Sequence, residues 1–478
     1  MLGGQTILNV VADYLRFLWT YAVADMEKRL SKEAVAAMVF KVVLTVPAGW
    51  NAEAQNLMRE AATKAGILRH RPIGKTTLSF VTEPEAAALA TLRDFDGRPD
   101  VQIGDVFVVC DAGGGTVDLI SYEVVQVKPL RIKECVEGIC GLCGAVYLDE
   151  KFTAYMRALM GENGKAWDRL GAEKQKELLE QNWETGIKRN YDGSDKSWTI
   201  VINPPAGQAP LHDPERGIVY GRTIIKGGHI KQIFEPICTK IRVLVRKQIN
   251  VLQNTKGKSP KAVLLVGGLG QNDYLAQILR QAFPNISIQQ PTKAWSAVAR
   301  GALASGILDR ILLVSHVARM SCGVKYDTKF VEGMHNVLDR RWDQQKGAWY
   351  ARDQIKWYLK KGQTISSEIL PRFVWVRHFS NIAEYQRGLH LILWKSEVVD
   401  APTRFTQDVK EFCSIKCSLN DDFYRLEQFT NTQGITTRKL TFELLLKVDG
   451  TSLDFFVNLN GVTQARERVQ VDFVAARA

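Results

Sequence analysis

The chain has 478 residues, 46% hydrophobic and 24% charged, a balance that excludes general disorder and leaves room for several cores, about three domains by length. Lys and Arg number 63 against 51 Asp and Glu, a net charge of +12, but the basic residues are dispersed without an aromatic platform. They read as solvated surface and disfavour nucleic acid as a partner.

The opening segment, MLGGQTILNVVADYLRFLWTYAV, reads as a helix in which Val10, Tyr14, Phe17, Leu18 and Tyr21 form one stripe expected to be buried. Asp13, Arg16 and Asp25 within it argue against a signal peptide. No run of about 18 apolar residues occurs, so no transmembrane helix and no membrane partner are expected. Residues 42–66, VVLTVPAGWNAEAQNLMREAATKAG, give a strand, a Pro-marked turn and an amphipathic helix. Residues 78–90, LSFVTEPEAAALA, give a strand that ends at Glu83-Pro84 and opens an Ala-rich helix.

Residues 106–119, VFVVCDAGGGTVDL, run a strand with a buried composition into an acidic residue, three glycines and a Thr before a second strand. Two readings stand for this hairpin. It is a plain Gly-rich turn, or it is a phosphate-binding loop in which glycines adopt φ > 0 and turn N–H groups toward an anion. In the second reading Asp111, Thr116 and Asp118 hold metal-bound water or a terminal phosphoryl group. Residues 261–270, KAVLLVGGLG, again deliver an apolar strand into glycines, followed by a helix from Tyr274 and another, AVARGALASGIL, after Pro291. Loops of this kind at strand ends are where α/β proteins hold ligands.

From Asp309 the pattern turns to strands. IKWYLKKGQTIS, FVWVRHFSN, LHLILWKSE and FCSIKCSLND read as successive strands, and Asp449-Gly450 and Asn460-Gly461 are hairpin-turn signals. Among eight cysteines, Cys140-x-x-Cys143 and Cys413-x-x-x-Cys417 lack a His at ligand spacing, so reduced structural thiols are the reading over a zinc site. No GxSxG elbow supports a Ser-His-Asp triad.

Taken in order, TVPAGW with REAATKAG, TEPEAAALA, DAGGGTVDL, and LLVGGLG with ARGAL resemble the nucleotide-binding domain of heat-shock 70 kDa (DnaK-like) chaperones, in the actin and sugar kinase superfamily. PAGWNAEAQ, ICGLCGAVYLDEKF and DQIKWYLKKGQTIS are most similar to the divergent branch related to the heat-shock 70 kDa protein 12 group. The resemblance implies an α/β actin-like (ribonuclease H-like) ATPase fold with an incomplete first lobe, followed by a C-terminal β-sandwich. It implies ATP or ADP with Mg²⁺ as cofactors. Gly113, Gly114 and Gly115 become the second phosphate loop, Thr116 the contact to the γ-phosphate, and Asp111 and Glu83 the residues that organise Mg²⁺ through its waters. Glu83, Asp111, Thr116 and Asp118 are thus the catalytic candidates. Gly267 and Gly268 match the adenosine loop. Glu184 and Lys188, in WETGIKRN, look like the pair that brackets adenine, with Ile187 or Arg189 taking the basic position in other alignments and a solvated helix face as the plain reading of Lys188.

The departures carry equal weight. The family's first phosphate loop and catalytic Lys have no counterpart in the matched segments, and Lys41 and Lys75 lie in the wrong context to replace that Lys. Hydrolysis is therefore expected to be weak or absent. DRILLV, from Asp309, resembles the family's interdomain linker, and the sandwich would bind extended apolar peptide segments. Trp342, Trp349, Trp357 and Trp375 are either its groove or its core.

The expected organisation is a remnant of the first ATPase lobe at 1–104, the second lobe at 105–308 with a smaller subdomain at about 150–250, and the substrate-binding-like sandwich at 309–478. Two functions stay open: a nucleotide-regulated protein-binding or chaperone module, and a non-catalytic pseudo-ATPase scaffold. Extended peptide segments and a co-chaperone are the implied partners, and the cytoplasm or nucleus the implied location. A sugar kinase is disfavoured, because the resemblance continues into the sandwich.

Overall fold

The computed structural model describes residues 6–47, 50, 52–93, 101–128, 130–161, 164–291, 293–307, 313–366, 372–419, 422–449, 452–459, 461–470 and 476–477. Its contacts group the chain into two compact units, 40–49 with 77–313 and 475–478, and 1–39 with 50–76 and 314–474. Within the second unit helix Ala52–Lys64 contacts helix Ile7–Leu30 and strand Val462–Gln470.

In the first of these units a sheet is ordered Arg131–Gly141, Val117–Gln126, Val106–Ala112, Ala262–Val266, Ser287–Gln289. The first three strands form an antiparallel meander and the last two add in parallel. Val106–Ala112 and Ala262–Val266 are buried at every position, as strands covered on both faces should be. Strand alternation sends Val108, Cys110 and Leu119 into one core and Phe107, Val109 and Ile120 into the other. The first core is closed by the 30-residue helix Gly227–Lys256, which buries Ile230, Phe234, Ile237 and Ile241 along one stripe and stops at a left-handed Gly257.

Lys41–Val46 and Thr77–Thr82 pair in parallel from Lys41↔Thr77 to Val46↔Thr82, and the second strand runs straight into helix Glu83–Arg93. That helix crosses Ala297–Ile307 so closely that a Cβ on Gly301 would overlap the carbonyl of Ala86.

The other unit carries two antiparallel sheets. One is ordered Arg340–Asp343, Ala348–Leu359, Ser321–Lys329, Leu389–Ser396, Lys410–Cys417. The second runs Arg372–Phe379, Thr436–Asp449, Ser452–Leu459, Val462–Gln470, with Glu427–Thr430 also on Thr436–Asp449. Strands of both contribute to one core through Cys322, Leu393, Ile415, Phe442, Leu446 and Phe455. The two hairpins expected near the C-terminus are present as strand pairs closing at Asp449↔Ser452 and Leu459↔Val462, although Gly450 and Asn460 lie outside the described residues. Four of the six residues in DRILLV, 309–312, also lie outside them.

The N-terminal helix Ile7–Leu30 corrects one expectation. Tyr14, Phe17, Leu18 and Tyr21 are exposed, Phe17 by 69%, and Val10 is only half-buried. The helix is apolar on more than one face, and it buries Ala12 with Leu8, Val11, Leu15 and Trp19 half-buried beside it. Periodicity identified a stripe but not the one that packs.

Candidate functional site

The hairpin between Val106–Ala112 and Val117–Gln126 is built by its own ladder, Asp111 opposite Asp118 and Ala112 opposite Val117, and closed by the Gly113 N–H donating to the Thr116 carbonyl at 3.0 Å. The carbonyls of Gly115, Gly113 and Gly114 accept from the N–H groups of Gly144, Ala145 and Val146 at 3.2, 3.0 and 2.8 Å. They thereby satisfy donors at the start of helix Val146–Leu159 that would otherwise lack partners. The N–H groups of Gly114 and Gly115 have no backbone acceptor among the described residues.

The expectation that these glycines need φ > 0 is not met, since none of Gly113, Gly114 and Gly115 is left-handed. A Cβ on Gly114 or Gly115 would meet nothing within 4 Å, so the hairpin's own packing does not call for glycine there. Gly267 does need it, with φ +82 and a Cβ position overlapping Asp111 Oδ1 and the Ala112 carbonyl. The two glycine loops, distant in sequence, are therefore in contact at Asp111.

Beneath them lie three carboxylates. Asp111 is 5% and Asp118 1% exposed. Burial, then the neighbouring Glu83 and Asp118, push the Asp111 carboxyl up to about 7. Burial, then Asp118, push Glu83 up to about 7 as well. Burial also raises Asp118, offset by hydrogen bonds from Thr116 and Cys140, while its Oδ1 has no partner among the described residues. No cationic side chain counts among the influences on the three. Among the described residues no group of three His, Cys, Asp or Glu side chains stands at direct metal-ligand spacing. The residues fit a Mg²⁺ ion held through its waters: an orphaned carboxylate oxygen, an acidic cluster with no counter-charge among the described residues, and an open cradle at Gly114 and Gly115.

The raised carboxyls make stability depend on pH. Groups whose folded pKa lies above the ordinary carboxylate value favour folding fully at acid pH, and that contribution is lost as pH rises from about 4 to about 7. Glu85, pushed to about 7 by burial and by Glu134, acts in the same direction. The melting temperature of the ligand-free chain should fall between pH 5.5 and 7.5, and Asp111→Asn should flatten that fall. An unchanged slope in the variant would show that Asp111 is not a source of it.

Glu184 and Lys188 lie in a π-helical segment, Leu179–Lys188, where the Thr185 hydroxyl donates to the carbonyls of Glu180 and Gln181 at 3.0 Å each. Lys188 is neither a solvated face nor a free cation. Its side chain is 10% exposed and pairs with Glu184 and, at 2.8 Å, with Asp149, which also accepts from Trp183 Nε1 at 2.7 Å. Ile187 is core, and Arg189 is exposed with Glu184 3.8 Å away.

Three residues escaped the sequence reading. Asn272, 4% exposed, donates to the carbonyls of Lys188 and Tyr191 at 3.1 and 3.2 Å and so joins the Glu184 segment to the Gly267 loop. Gly144 has no room for a Cβ, which would overlap Gly114 and Gly115. Trp295 stands beside Gly268. Only the strand-then-glycine pattern before Gly267 and the C-G-L-C-G spacing around Gly144 signalled these loops, and neither identifies a partner. The connections close a ring: hairpin to helix Val146–Leu159, Asp149 to Lys188, Lys188 to Asn272, and the Gly267 loop back to Asp111.

All eight cysteines are thiols rather than disulfides, seven of them buried. Burial raises the Cys143 thiol to about 11 and Cys110 well above the ordinary range. Of the four tryptophans in question, Trp357 is 8% exposed and donates to the Pro402 carbonyl, and Trp375 donates to the Tyr358 hydroxyl. Trp342 and Trp349 instead form an exposed cross-strand pair, 5.4 Å between centroids, with Arg340 over Trp349. Among the described residues no helix is long and apolar enough to cross a membrane.

A family model described as a domain of unknown function (DUF8568) matches residues 316–473. The Chaperone protein DnaK of Thermus thermophilus is 28% identical over 317 residues, covering 63% of this chain and 45% of that protein. Human Heat shock 70 kDa protein 12B is 22% identical over 404 residues, covering 70% of this chain and 57% of that protein. Human Heat shock 70 kDa protein 12A is 21% identical over 395 residues, covering 69% and 57%. The chain spans about half the length of the curated relatives it matches. The ordered motifs and these matches support a divergent relationship of the chain to the heat-shock 70 kDa protein family.

Proposed function

We propose that the chain is a nucleotide-regulated protein-binding module of chaperone type, holding ATP or ADP with Mg²⁺ at the joined glycine loops. The observation that carries this reading is the trio of buried Asp111 and Asp118 with half-buried Glu83, which has no cation of the described residues among the influences on its ionisation and adjoins a hairpin left open at Gly114 and Gly115. Like charges buried without a counter-charge are costly, and a divalent ion with its waters offsets that cost. In this reading Gly114 and Gly115 turn their N–H groups to a phosphate, Thr116 meets the terminal phosphoryl group, and Glu83 and Asp111 accept from metal-bound water. Mg²⁺, when bound, neutralises phosphate charge. The Gly267 and Gly268 backbone takes the nucleoside side, with Glu184 and Lys188 across the Asn272 link.

Hydrolysis is proposed to be weak, because the hairpin offers backbone donors and carboxylates but no cationic side chain, and loss of one preorganised donor costs roughly 10²–10³ in rate. Peptide capture belongs, in this proposal, to a sandwich formed by the two C-terminal sheets within 309–478, with the exposed Trp342 and Trp349 as contacts and Trp357 and Trp375 as core. The segments 1–104 and 105–308 would then be the first and second ATPase lobes. The scaffold reading has one observation in its favour: Lys188 is already neutralised by Glu184 and Asp149.

Titration calorimetry with ATP, with and without Mg²⁺, separates the two. Mg²⁺-dependent binding is expected, weakened about 10-fold or more in Asp111→Asn, a loss typical of removing an outer-sphere partner. No binding up to millimolar ATP in the folded chain would leave the scaffold.

A further inference from the structure

We infer that Trp295 is the base-covering residue of the proposed nucleotide site, its indole stacking on the purine held at Gly267 and Gly268, an inference that rests on the nucleotide reading. On the adenosine side, Gly267 donates its N–H to the Ala294 carbonyl at 3.4 Å, which ties the loop to the short turn Ala294–Ser296. That turn is fixed on both sides. Ala294 and Ala297 are fully buried, the Ala294 N–H donates to Pro291, and the Ser296 N–H and hydroxyl both reach the Lys293 carbonyl.

From this anchored backbone Trp295 projects an indole that is 75% exposed. Its Cδ1 lies 3.9 Å from where a Cβ on Gly268 would stand, and among the described residues it is the single side chain that such a Cβ would meet. Gly268 is not left-handed, so its own backbone does not require glycine. The missing side chain instead leaves the exposed indole bordering the Gly268 backbone at its Cδ1 edge. A flat apolar ring with a polar N–H, held at the edge of a backbone cradle, is suited to a flat heteroaromatic base. Stacking of this kind contributes a factor of about 10 or more in affinity by alanine substitution and tolerates changes of base.

The test compares Trp295→Ala and Trp295→Phe with the unaltered full chain, reading affinity for ATP, GTP and inorganic tripolyphosphate in the presence of Mg²⁺. Trp295→Ala should bind ATP and GTP about 10-fold more weakly, leave tripolyphosphate unchanged, and keep the melting temperature, since the side chain is exposed. Trp295→Phe should recover most of the loss. ATP affinity within twofold of the unaltered chain in Trp295→Ala would overturn the inference while leaving the nucleotide site standing. A parallel loss for tripolyphosphate would also overturn it, since the indole would then act on the loop and not on the base. An unaltered chain that binds no ATP overturns the nucleotide-site reading itself, and this inference with it.

Discussion

Gly301→Val should unfold the unit that carries the glycine loops, or shift its urea midpoint by the equivalent of several kcal/mol. A Cβ at Gly301 would overlap the Ala86 carbonyl and stand 2.8 Å from the Ala86 Cα, so the obstacle is backbone and cannot rotate away. Overpacking a core costs about 1–3 kcal/mol when side chains can shift, and more when two helices must separate. Ala86 and Ala302 are both buried at this crossing, so separation would also expose apolar surface. The effect reaches the site, because Glu83 opens the helix that would be displaced. Gly228→Ala is the matched control. It lies in helix Gly227–Lys256, nothing stands within 4 Å of its Cβ position, and alanine there should be neutral or stabilising by up to about 1 kcal/mol. Equal midpoints for the two variants would refute the close crossing.

Gly144→Ala should leave the chain folded and lower ATP affinity about 100-fold. The added methyl would overlap the Gly114 carbonyl and approach Gly115 at 2.6 Å, pushing the hairpin off the start of helix Val146–Leu159. Three N–H donors, from Gly144, Ala145 and Val146, would lose their acceptors together, and the N–H groups of Gly114 and Gly115 would be re-aimed. Displacement by 1 Å at a site that works by positioning is enough for a loss of this size. Gly115→Ala makes the informative comparison, because its Cβ position is open in the ligand-free chain. It should spare stability and reduce affinity only through the space a phosphate needs. A Gly144→Ala variant with unchanged ATP affinity would show that the hairpin's seat does not matter to binding.

What the sequence disclosed, and what it withheld, divides along the range of the interactions. Strands at Lys41–Val46, Val106–Ala112 and Ala262–Val266 could be read because their apolar runs end in Pro or Gly, and those signals are local. The C-terminal hairpins were legible for the same reason. The contact of Gly267 with Asp111, the seat of Gly114 on Gly144 and the link from Asn272 to Lys188 join residues far apart in sequence, and no local pattern encodes them. Tryptophans show the limit well. Trp342, Trp349, Trp357 and Trp375 have similar strand contexts, and only the pairing of strands and sheets decides that two are exposed while two find hydrogen-bond partners inside. In the N-terminal helix, two apolar stripes competed, and the neighbouring helix Ala52–Lys64 chose between them.

The π-helical winding of Leu179–Lys188 gives chain length a chemical meaning. Relative to an α-helix, each such turn stores a surplus residue, and excising one would return the segment to ordinary pitch and swing the residues beyond the excision by about 100° around the axis. Lys188 would then leave Asp149, and Ile187 would leave the core position it fills beside Trp183. An insertion or deletion in this stretch is therefore not a neutral change of loop length. It would act as a switch of side-chain phase, exchanging in one genetic event which residues point toward Asp149 and the core and which point toward solvent.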